Sequence, residues 1–182
     1  MPAHLHVPQM QELGYRQKHL NEDPATMSYN KGFDLGIPEY DPATGCIAFP
    51  KENWASWYER WCCGGERFYA YIERDGVFIG EACLHPADEP DTYEMGIVLE
   101  AAHRGNDYAR EALELLLAHA FQTMKARAVT NSFEQSRIAA FRLHLACGFE
   151  AVGTENGCVR LILTAERYRQ LHPTLPIGTT PV

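Results

Sequence analysis

The segment spanning residues 93–121 limits the fold of this chain more than any other feature of its sequence. It opens with an alternation that predicts a β-strand, with Tyr93, Met95, Ile97 and Leu99 on one face. A polar turn follows, and then apolar residues recur at the spacing of one helix face. A strand that leads through a turn into an amphipathic helix must bury that helix against its own sheet. The sequence therefore predicts a layered structure of strands and helices.

Similar patterns on both sides of this segment predict further elements. Strands are expected at residues 67–73, 77–85, 92–99, 126–133, 149–153 and 158–163, and helices at residues 8–20, 54–62, 109–124, 136–147 and 165–171. Asp75-Gly76 and Glu155-Asn156-Gly157 are typical hairpin turns. Together these elements predict an α/β (α+β) fold in which helices cover one mixed sheet.

Residues 21–50 differ from the rest of the chain because they contain four prolines and three glycines. This density of residues that break helices and strands predicts a long loop. The aromatic residues within it favour a packed loop, and long loops inside compact domains often form lids or binding loops. With 182 residues, the whole chain, 1–182, is expected to form a single domain.

Composition and charge disfavour several classes of function. Asp and Glu outnumber Lys and Arg by 24 to 16, and the net charge of −8 disfavours binding to nucleic acids or anionic membranes. No apolar stretch reaches the roughly 20 residues that a membrane-spanning helix needs. The first ten residues lack the basic and apolar regions of a signal peptide, so a cytoplasmic protein with reduced cysteines is expected. The histidines and cysteines show no spacing typical of a metal site, and none is expected.

The turn before the long helix has the chemistry of an anion-binding site. Exposed amides at a helix N-terminus, together with the positive end of the helix dipole, favour a phosphate or pyrophosphate. Gly105 permits a close backbone approach, and Arg104 adds a cation. The turn contains neither a Walker A loop nor a GxGxxG fingerprint. Many strand–turn–helix units bind nothing, so a purely structural turn is the alternative interpretation.

Two motifs together resemble the GNAT superfamily, the Gcn5-related N-acetyltransferases. Residues 104–109, R-G-N-D-Y-A, are similar to the family signature [QR]xxGx[GA] for the pyrophosphate of acetyl-coenzyme A, with Asp107 where the family has glycine. Residues 137–149, R-I-A-A-F-R-L-H-L-A-C-G-F, resemble the family segment N-x-x-A-x-x-L-Y-x-x-x-G-F, with Arg137 for Asn and His144 for Tyr. The resemblance implies a mixed, mostly antiparallel central sheet flanked by helices.

The same resemblance implies where the donor binds. Residues 67–171 would form the cofactor-binding core, and residues 1–66 would shape the acceptor site. The implied cofactor-binding residues are the backbone of Ile97, Val98 and Leu99, the turn and first helical residues Arg104, Gly105, Asn106, Asp107, Tyr108 and Ala109, and Arg137. The Asp107 carboxylate would repel a diphosphate unless it turns away to cap the helix, and whether it weakens coenzyme A binding stays open.

The implied reaction is a direct attack of an amine on the thioester within a ternary complex. His144 stands where the family has the tyrosine that protonates the thiolate, and imidazole can perform this transfer. The alternative is that His144 is an ordinary polar residue of its helix. Glu94 and Glu81 are candidates for the general base. Glu81 is expected to alternate with Ile79 and Cys83 on an apolar face, where burial would raise its pKa. Surface ion pairing is the alternative for both glutamates.

Glu134 and Tyr29 are the candidates for contact with the acceptor. Glu134 would hold a cationic amine or, alternatively, serve as a charge near a helix N-terminus. The sequence therefore predicts an acetyl-coenzyme A-dependent N-acetyltransferase whose acceptor is a small cationic amine, and the acidic composition motivates that choice of acceptor. Two alternatives remain: a catalytically weak acyl-coenzyme A-binding sensor, and an enzyme that acetylates protein N-termini or lysines. The identity of the acceptor and a homodimeric state stay open.

Overall fold

Within the described residues, seven strands form one central sheet. The computed structural model describes residues 2–33, 35–37 and 39–173. The strands lie in the order β1-β2-β3-β4-β5-β7-β6. Their bounds are β1 His4–His6, β2 Phe68–Arg74, β3 Val77–Pro86, β4 Thr92–Leu99, β5 Ala128–Glu134, β6 Glu150–Glu155 and β7 Cys158–Thr164. Only the β4–β5 pair is parallel, so the predicted mixed and mostly antiparallel sheet is confirmed.

Six α-helices of the described residues pack around the sheet. Their bounds are α1 Leu13–Glu22, α2 Pro24–Met27, α3 Trp54–Tyr58, α4 Tyr108–Ala118, α5 Ile138–Ala146 and α6 Ala165–Leu171. The helices α3 and α4 each continue through a π-helical turn, Glu59–Cys63 and His119–Thr123 respectively. Short 3₁₀ turns lie at Met10–Glu12, Ser28–Asn30, Lys51–Asn53 and Ala101–His103. Within the described ranges, no helix is long and apolar enough to cross a membrane.

The described part of the N-terminal third contains more secondary structure than its sequence indicates. β1 has only three residues and was not predicted, because it is stabilised by antiparallel pairing with β2 rather than by its own pattern. The predicted loop begins later than expected, since α1 extends to Glu22 and α2 follows after Asp23. The Asp23 side chain caps α2 by accepting a hydrogen bond from the amide of Thr26.

The sheet separates two hydrophobic clusters, and β2 shows the division. Tyr69 and Tyr71 lie in the cluster beneath α1 and α3, whereas Ile72 lies in the cluster beneath α4 and α5. Met95 and Leu99 of β4 also face the α4 side, as their alternation predicts. The opposite face of β4 is therefore turned towards α1 and α3.

A bulge in β3 changes the face of one predicted residue. Ile72 pairs with Gly80 and Glu73 pairs with Phe78, so Ile79 has no register partner. Ile79 consequently lies in the α4 cluster, whereas Cys83 packs against the α1 cluster. The prediction that Ile79, Glu81 and Cys83 share one face is wrong for Ile79, because a bulge inverts the alternation beyond it.

Candidate active site

The strands β4 and β5 pair over only three positions and then diverge. Thr92 pairs with Ala128, Tyr93 with Val129 and Glu94 with Thr130. Beyond these pairs the two strands separate, and we call the gap between residues 95–99 and residues 131–134 the wedge. The other edge of β4 stays paired with β3 as far as Leu99. The wedge-facing backbone of Ile97, Val98 and Leu99 therefore lacks a neighbouring strand, which suits it to hydrogen-bond an extended ligand.

The backbones of β3 and β4 approach each other closely at Gly80 and Val98. A Cβ atom added to Gly80 would lie 2.2 Å from the carbonyl oxygen of Val98. Only glycine therefore fits at this position without displacing β4. The sequence could not indicate this requirement, because Gly80 and Val98 meet only through strand pairing.

The turn at the end of β4 presents free amides at the start of α4. Gly105 has a φ of +83°, and within the described residues the amides of Gly105, Asn106 and Asp107 donate no hydrogen bond. The carbonyl of Asp107 begins the helix by accepting from the amides of Arg110 at 3.0 Å and Glu111 at 3.1 Å. Three free amides and the positive end of the helix dipole are the groups that favour an anion at such a turn.

A shallow pocket of about 360 Å³ opens over this turn. It is lined by Arg74, Gly105, Asn106, Asp107, Tyr108, Arg110, Glu111 and Glu114. The two arginines are paired with carboxylates: Arg74 with Glu111 at 2.8 Å and Arg110 with Glu114 at 2.9 Å. Asp107, Glu111 and Glu114 outnumber the two arginines, so the donors that this pocket offers to an anion are mainly the backbone amides.

Arg104 anchors the turn instead of pointing its hydrogen-bond donors outward. Its Nε donates to the carbonyl of Leu99 at 3.2 Å, and a terminal nitrogen donates to the carbonyl of Thr26 at 2.7 Å. The hydroxyl of Thr26 also accepts from the amide of Ala101 at 2.7 Å. These contacts fix the turn to α2, so Arg104 supports the position of the free amides.

The side chain of Asp107 does not cap α4. Asp107 occupies the N-cap position, but its side chain makes no capping hydrogen bond, and the residue is exposed. The side chain of Asn106 donates instead to the carbonyl of Arg104 at 3.4 Å. The capping arrangement that would turn the Asp107 carboxylate away from a diphosphate is therefore not formed, and the carboxylate lies on the rim of the pocket over the turn.

His144 is buried beside the wedge and has no free N–H group. Its Nδ1 lies 2.8 Å from the carbonyl oxygen of Ala140, which can only accept, so Nδ1 carries the proton. Its Nε2 then accepts from the side-chain amide of Asn131 at 2.9 Å. The rings of Phe133 and Phe149 surround it, and burial lowers the pKa of the imidazole. In this arrangement His144 has no proton available for a thiolate.

Glu81 is committed to a buried cluster. A terminal nitrogen of Arg16 lies 2.6 Å from both carboxylate oxygens, and the hydroxyl of Tyr69 donates to the carboxylate at 2.5 Å. Burial alone would raise the pKa of Glu81, but the charge of Arg16 and these hydrogen bonds outweigh it and lower that pKa. The expectation of a raised pKa is wrong, and Glu81 is poorly suited to accept a proton.

Glu94 lies at the closed end of the wedge, where β4 and β5 stop pairing. It belongs to the last β4–β5 pair, opposite Thr130, and its β3 partner is His85. It is half-buried, and it forms no ion pair with any described residue. The ring of Trp61 lies against His85, with centroids 5.9 Å apart. Of the two predicted base candidates, Glu94 has the unpaired carboxylate.

Arg137 links the open end of the wedge to the N-terminal region. It forms an ion pair with Glu134, at the end of β5. Its guanidinium also lies 5.0 Å from the ring centroid of Tyr29 and 5.6 Å from that of Phe33. Burial, followed by the charge of Glu81, raises the pKa of Tyr29 to about 12, so Tyr29 is protonated at neutral pH.

Several residues around the wedge have no signal in the sequence. Arg16 is separated from Glu81 by 65 positions, and Asn131 from His144 by 13. No motif or periodicity relates the members of either pair, since strand register and helix packing bring them together. The described residues contain no cluster of three or more His, Cys, Asp or Glu side chains that could hold a metal ion.

The chain is similar to known acetyltransferases in sequence profile and in structure. The family model described as an acetyltransferase (GNAT) domain matches residues 10–150. A spermidine N-acetyltransferase from Vibrio cholerae, solved in complex with CoA and spermine, has a TM-score of 0.73 at 17% identity over 92% of this chain and 98% of that chain. A GNAT-family acetyltransferase from Bacillus anthracis has a TM-score of 0.67 at 16% identity over 91% of this chain and 96% of that chain.

A third similar structure, apo FdhC, a nucleotide-linked sugar GNAT, has a TM-score of 0.68 at 17% identity over 93% of this chain and 90% of that chain. No curated protein matches the chain. At these identities the structures show the fold alone, whereas the family model spans well over half of the sequence. The protein is therefore an N-acetyltransferase of the GNAT family.

Proposed function

We propose that this enzyme transfers the acetyl group of acetyl-coenzyme A to the primary amine of a small cationic metabolite or antibiotic-like amine. The observation that carries the proposal is the divergence of β4 and β5 immediately after Glu94. This divergence leaves the β4 edge at residues 97–99 open for the donor, and it leaves the unpaired carboxylate of Glu94 next to that edge for the acceptor. The net charge of −8 favours a cationic acceptor. A similar Vibrio cholerae enzyme was solved with CoA and spermine, which supports the same class.

GNAT acetyltransferases use acetyl-coenzyme A, and the residues present fit its two polar parts. The free amides of Gly105, Asn106 and Asp107, with the first residues of α4, Tyr108 and Ala109, would hold the diphosphate. The free strand edge 97–99 would hydrogen-bond the pantetheine arm. Arg137, at the open end of the wedge, would contact coenzyme A directly or hold the segment around Tyr29 in place over the bound coenzyme A.

The chemistry begins with loss of a proton from the ammonium group of the acceptor. Glu94 would take this proton, directly or through a water molecule. The neutral amine then attacks the thioester carbon, and a β4 amide stabilises the resulting oxyanion. The nitrogen loses a second proton as the amide forms, and that proton passes to the departing sulfur. His144 would act as a positioning residue that holds Asn131 at the wedge, because it has no free N–H.

Acetyl-coenzyme A turnover against a panel of polyamines, aminoglycosides and amino acids tests the proposal. We expect turnover with at least one cationic amine and a large loss in Glu94→Gln. Glu150→Gln, which changes an exposed glutamate of β6, is the matched control. Absence of transfer to every amine of the panel would contradict the proposed acceptor class.

A catalytically weak acyl-coenzyme A sensor is the second candidate, because two family positions are altered. Asp107 brings a carboxylate to the rim of the pocket over the turn, and His144 lacks a free N–H. Calorimetric titration with coenzyme A separates the cases, since tight binding without turnover would favour the sensor. The protein-acetylating alternative is less favoured, because Tyr29 and Phe33 pack on Arg137 at the open end of the wedge.

A further inference from the structure

A second cavity lies between α1 and the β2–β3 hairpin, and we call it the α1 cavity. It has a volume of about 580 Å³ and is lined by Tyr15, Lys18, His19, Glu22, Asp23, Gly76, Val77, Phe78 and Glu100. None of these residues lines the wedge or the pocket over the turn. Its volume falls within the range of small-molecule binding sites, roughly 300–1,000 Å³.

Two polar groups in the wall of this cavity, the imidazole of His19 and the hydroxyl of Tyr15, are buried without a hydrogen-bond partner in the described chain. His19 is 2% exposed, and neither of its ring nitrogens is paired within the described chain. The hydroxyl of Tyr15 is also buried and unpaired, and the two rings stack with centroids 5.8 Å apart. Buried polar groups in native proteins are almost always paired. Unpaired groups that border a cavity therefore indicate that a ligand completes their hydrogen bonds.

Glu100 completes a convergent set of acceptors. Its Oε1 lies 4.0 Å from Nδ1 of His19, which is too far for a direct hydrogen bond. Two acceptors at this separation can share one nitrogen that lies about 2.8–3.0 Å from each. Tyr15 lines the same cavity as Glu100, and its ring stacks on that of His19.

The charges around the cavity select a cation. Glu22, Asp23 and Glu100 contribute three carboxylates, against the single ammonium of Lys18. A primary ammonium group has three donors and no acceptor. Its three N–H groups match the carboxylate of Glu100, the imidazole nitrogen of His19 and the phenol oxygen of Tyr15.

The hairpin supplies an apolar wall. Val77 and Phe78 line the cavity, and the ring of Phe78 lies 5.3 Å from that of Tyr15. A hydrocarbon group attached to the ammonium would be removed from water against these side chains. We propose that the α1 cavity binds a primary ammonium group carried on a small apolar body, at a position separate from the acetyl-transfer site.

Titration of the full chain, ¹⁵N-labelled at histidine, with n-butylammonium chloride tests this site. We expect a saturable shift of the His19 ring resonances and no such shift with n-butanol, which has the same shape but lacks the charge and two of the donors. Glu100→Gln should weaken binding at least tenfold. Glu89→Gln, at an exposed carboxylate outside the cavity, should leave the affinity unchanged.

Three results would overturn the assignment. These are the absence of a saturable shift, an equal shift with n-butanol, and unchanged affinity in Glu100→Gln. The readout is the His19 ring itself, so it does not depend on acetyl transfer. Repeating the titration in Glu94→Gln separates the two sites, since binding at the α1 cavity should persist when the transfer reaction is impaired.

Discussion

The guanidinium of Arg16 and the carboxylate of Glu81 form an ion pair on the face of the sheet that α1 and α3 cover. The closest nitrogen and oxygen are 2.6 Å apart, and the side chains are only 15% and 12% exposed. Arg16 also lies over the ring of Trp57, 4.5 Å from its centroid. The pair joins α1 to β3, so it ties the N-terminal region to the central sheet.

Breaking this pair should destabilise the fold. Arg16→Met leaves Glu81 as a buried and unpaired charge, and we expect a loss of about 3–5 kcal/mol in the free energy of unfolding. The double variant Arg16→Met/Glu81→Gln should recover most of that loss, because a neutral amide can still accept from Tyr69. Chemical denaturation of the three proteins measures both effects, and a double variant no more stable than the single one would contradict this account.

The same pair predicts how stability depends on pH. The pKa of Glu81 lies below its ordinary value of 4.5 in the folded protein. Its stabilising contribution is therefore complete above pH 4.5 and is lost as the pH falls through the lower, folded-state pKa. The difference in unfolding free energy between the wild type and the double variant should shrink below pH 4.5. A constant difference down to pH 3 would show that Glu81 is not the titrating group.

Replacing Glu94 tests the proposed base. Glu94→Gln keeps the size and strand position of the side chain but cannot accept a proton, so kcat should fall about 100-fold or more. Coenzyme A affinity, measured by calorimetry, should stay unchanged because the proposed diphosphate site lies at the other end of the wedge. A kcat within a factor of two of the wild type would remove Glu94 from the mechanism.

Neutralising Asp107 should improve binding of coenzyme A. Its side chain makes no capping hydrogen bond, so Asp107→Gly should cost only a few tenths of a kcal/mol in stability. Removing a negative charge beside the free amides should tighten coenzyme A binding by about 0.5–1 kcal/mol at low salt. Asp107→Asn separates charge from backbone effects, and a weaker affinity in both variants would show that the carboxylate supports the site.

His144→Phe tests whether the imidazole holds Asn131 in place. The variant leaves the Asn131 amide without its acceptor, and we expect a loss of about 1–3 kcal/mol in stability. If His144 acts through Asn131, the effects of His144→Phe and Asn131→Ala on kcat should be non-additive in the double variant. Two results together would instead support His144 as the general acid. The effects of the two substitutions would be additive, and the pH profile of kcat would lose a titration limb in His144→Phe.

The order of elements could be predicted because each carries its own local signal. The alternation in β4 and the apolar stripe of α4 identify a strand and a helix without reference to other parts of the chain. The turn between them is recognisable because Gly105 and the start of α4 are neighbours in sequence. For β1 no such signal exists, since three residues are too few to show a period.

The chemistry of the candidate site was decided by contacts between distant residues. The sequence alone determined that a strand ends in a glycine-containing turn at a helix N-terminus, and this local geometry suits a diphosphate. Only the tertiary structure decided that Arg16 neutralises Glu81, that Asn131 and a helix carbonyl occupy both nitrogens of His144, and that Glu94 stays unpaired. The physical reason is that backbone conformation follows local side-chain patterns, whereas protonation and hydrogen bonding depend on neighbours supplied by strand register and helix packing.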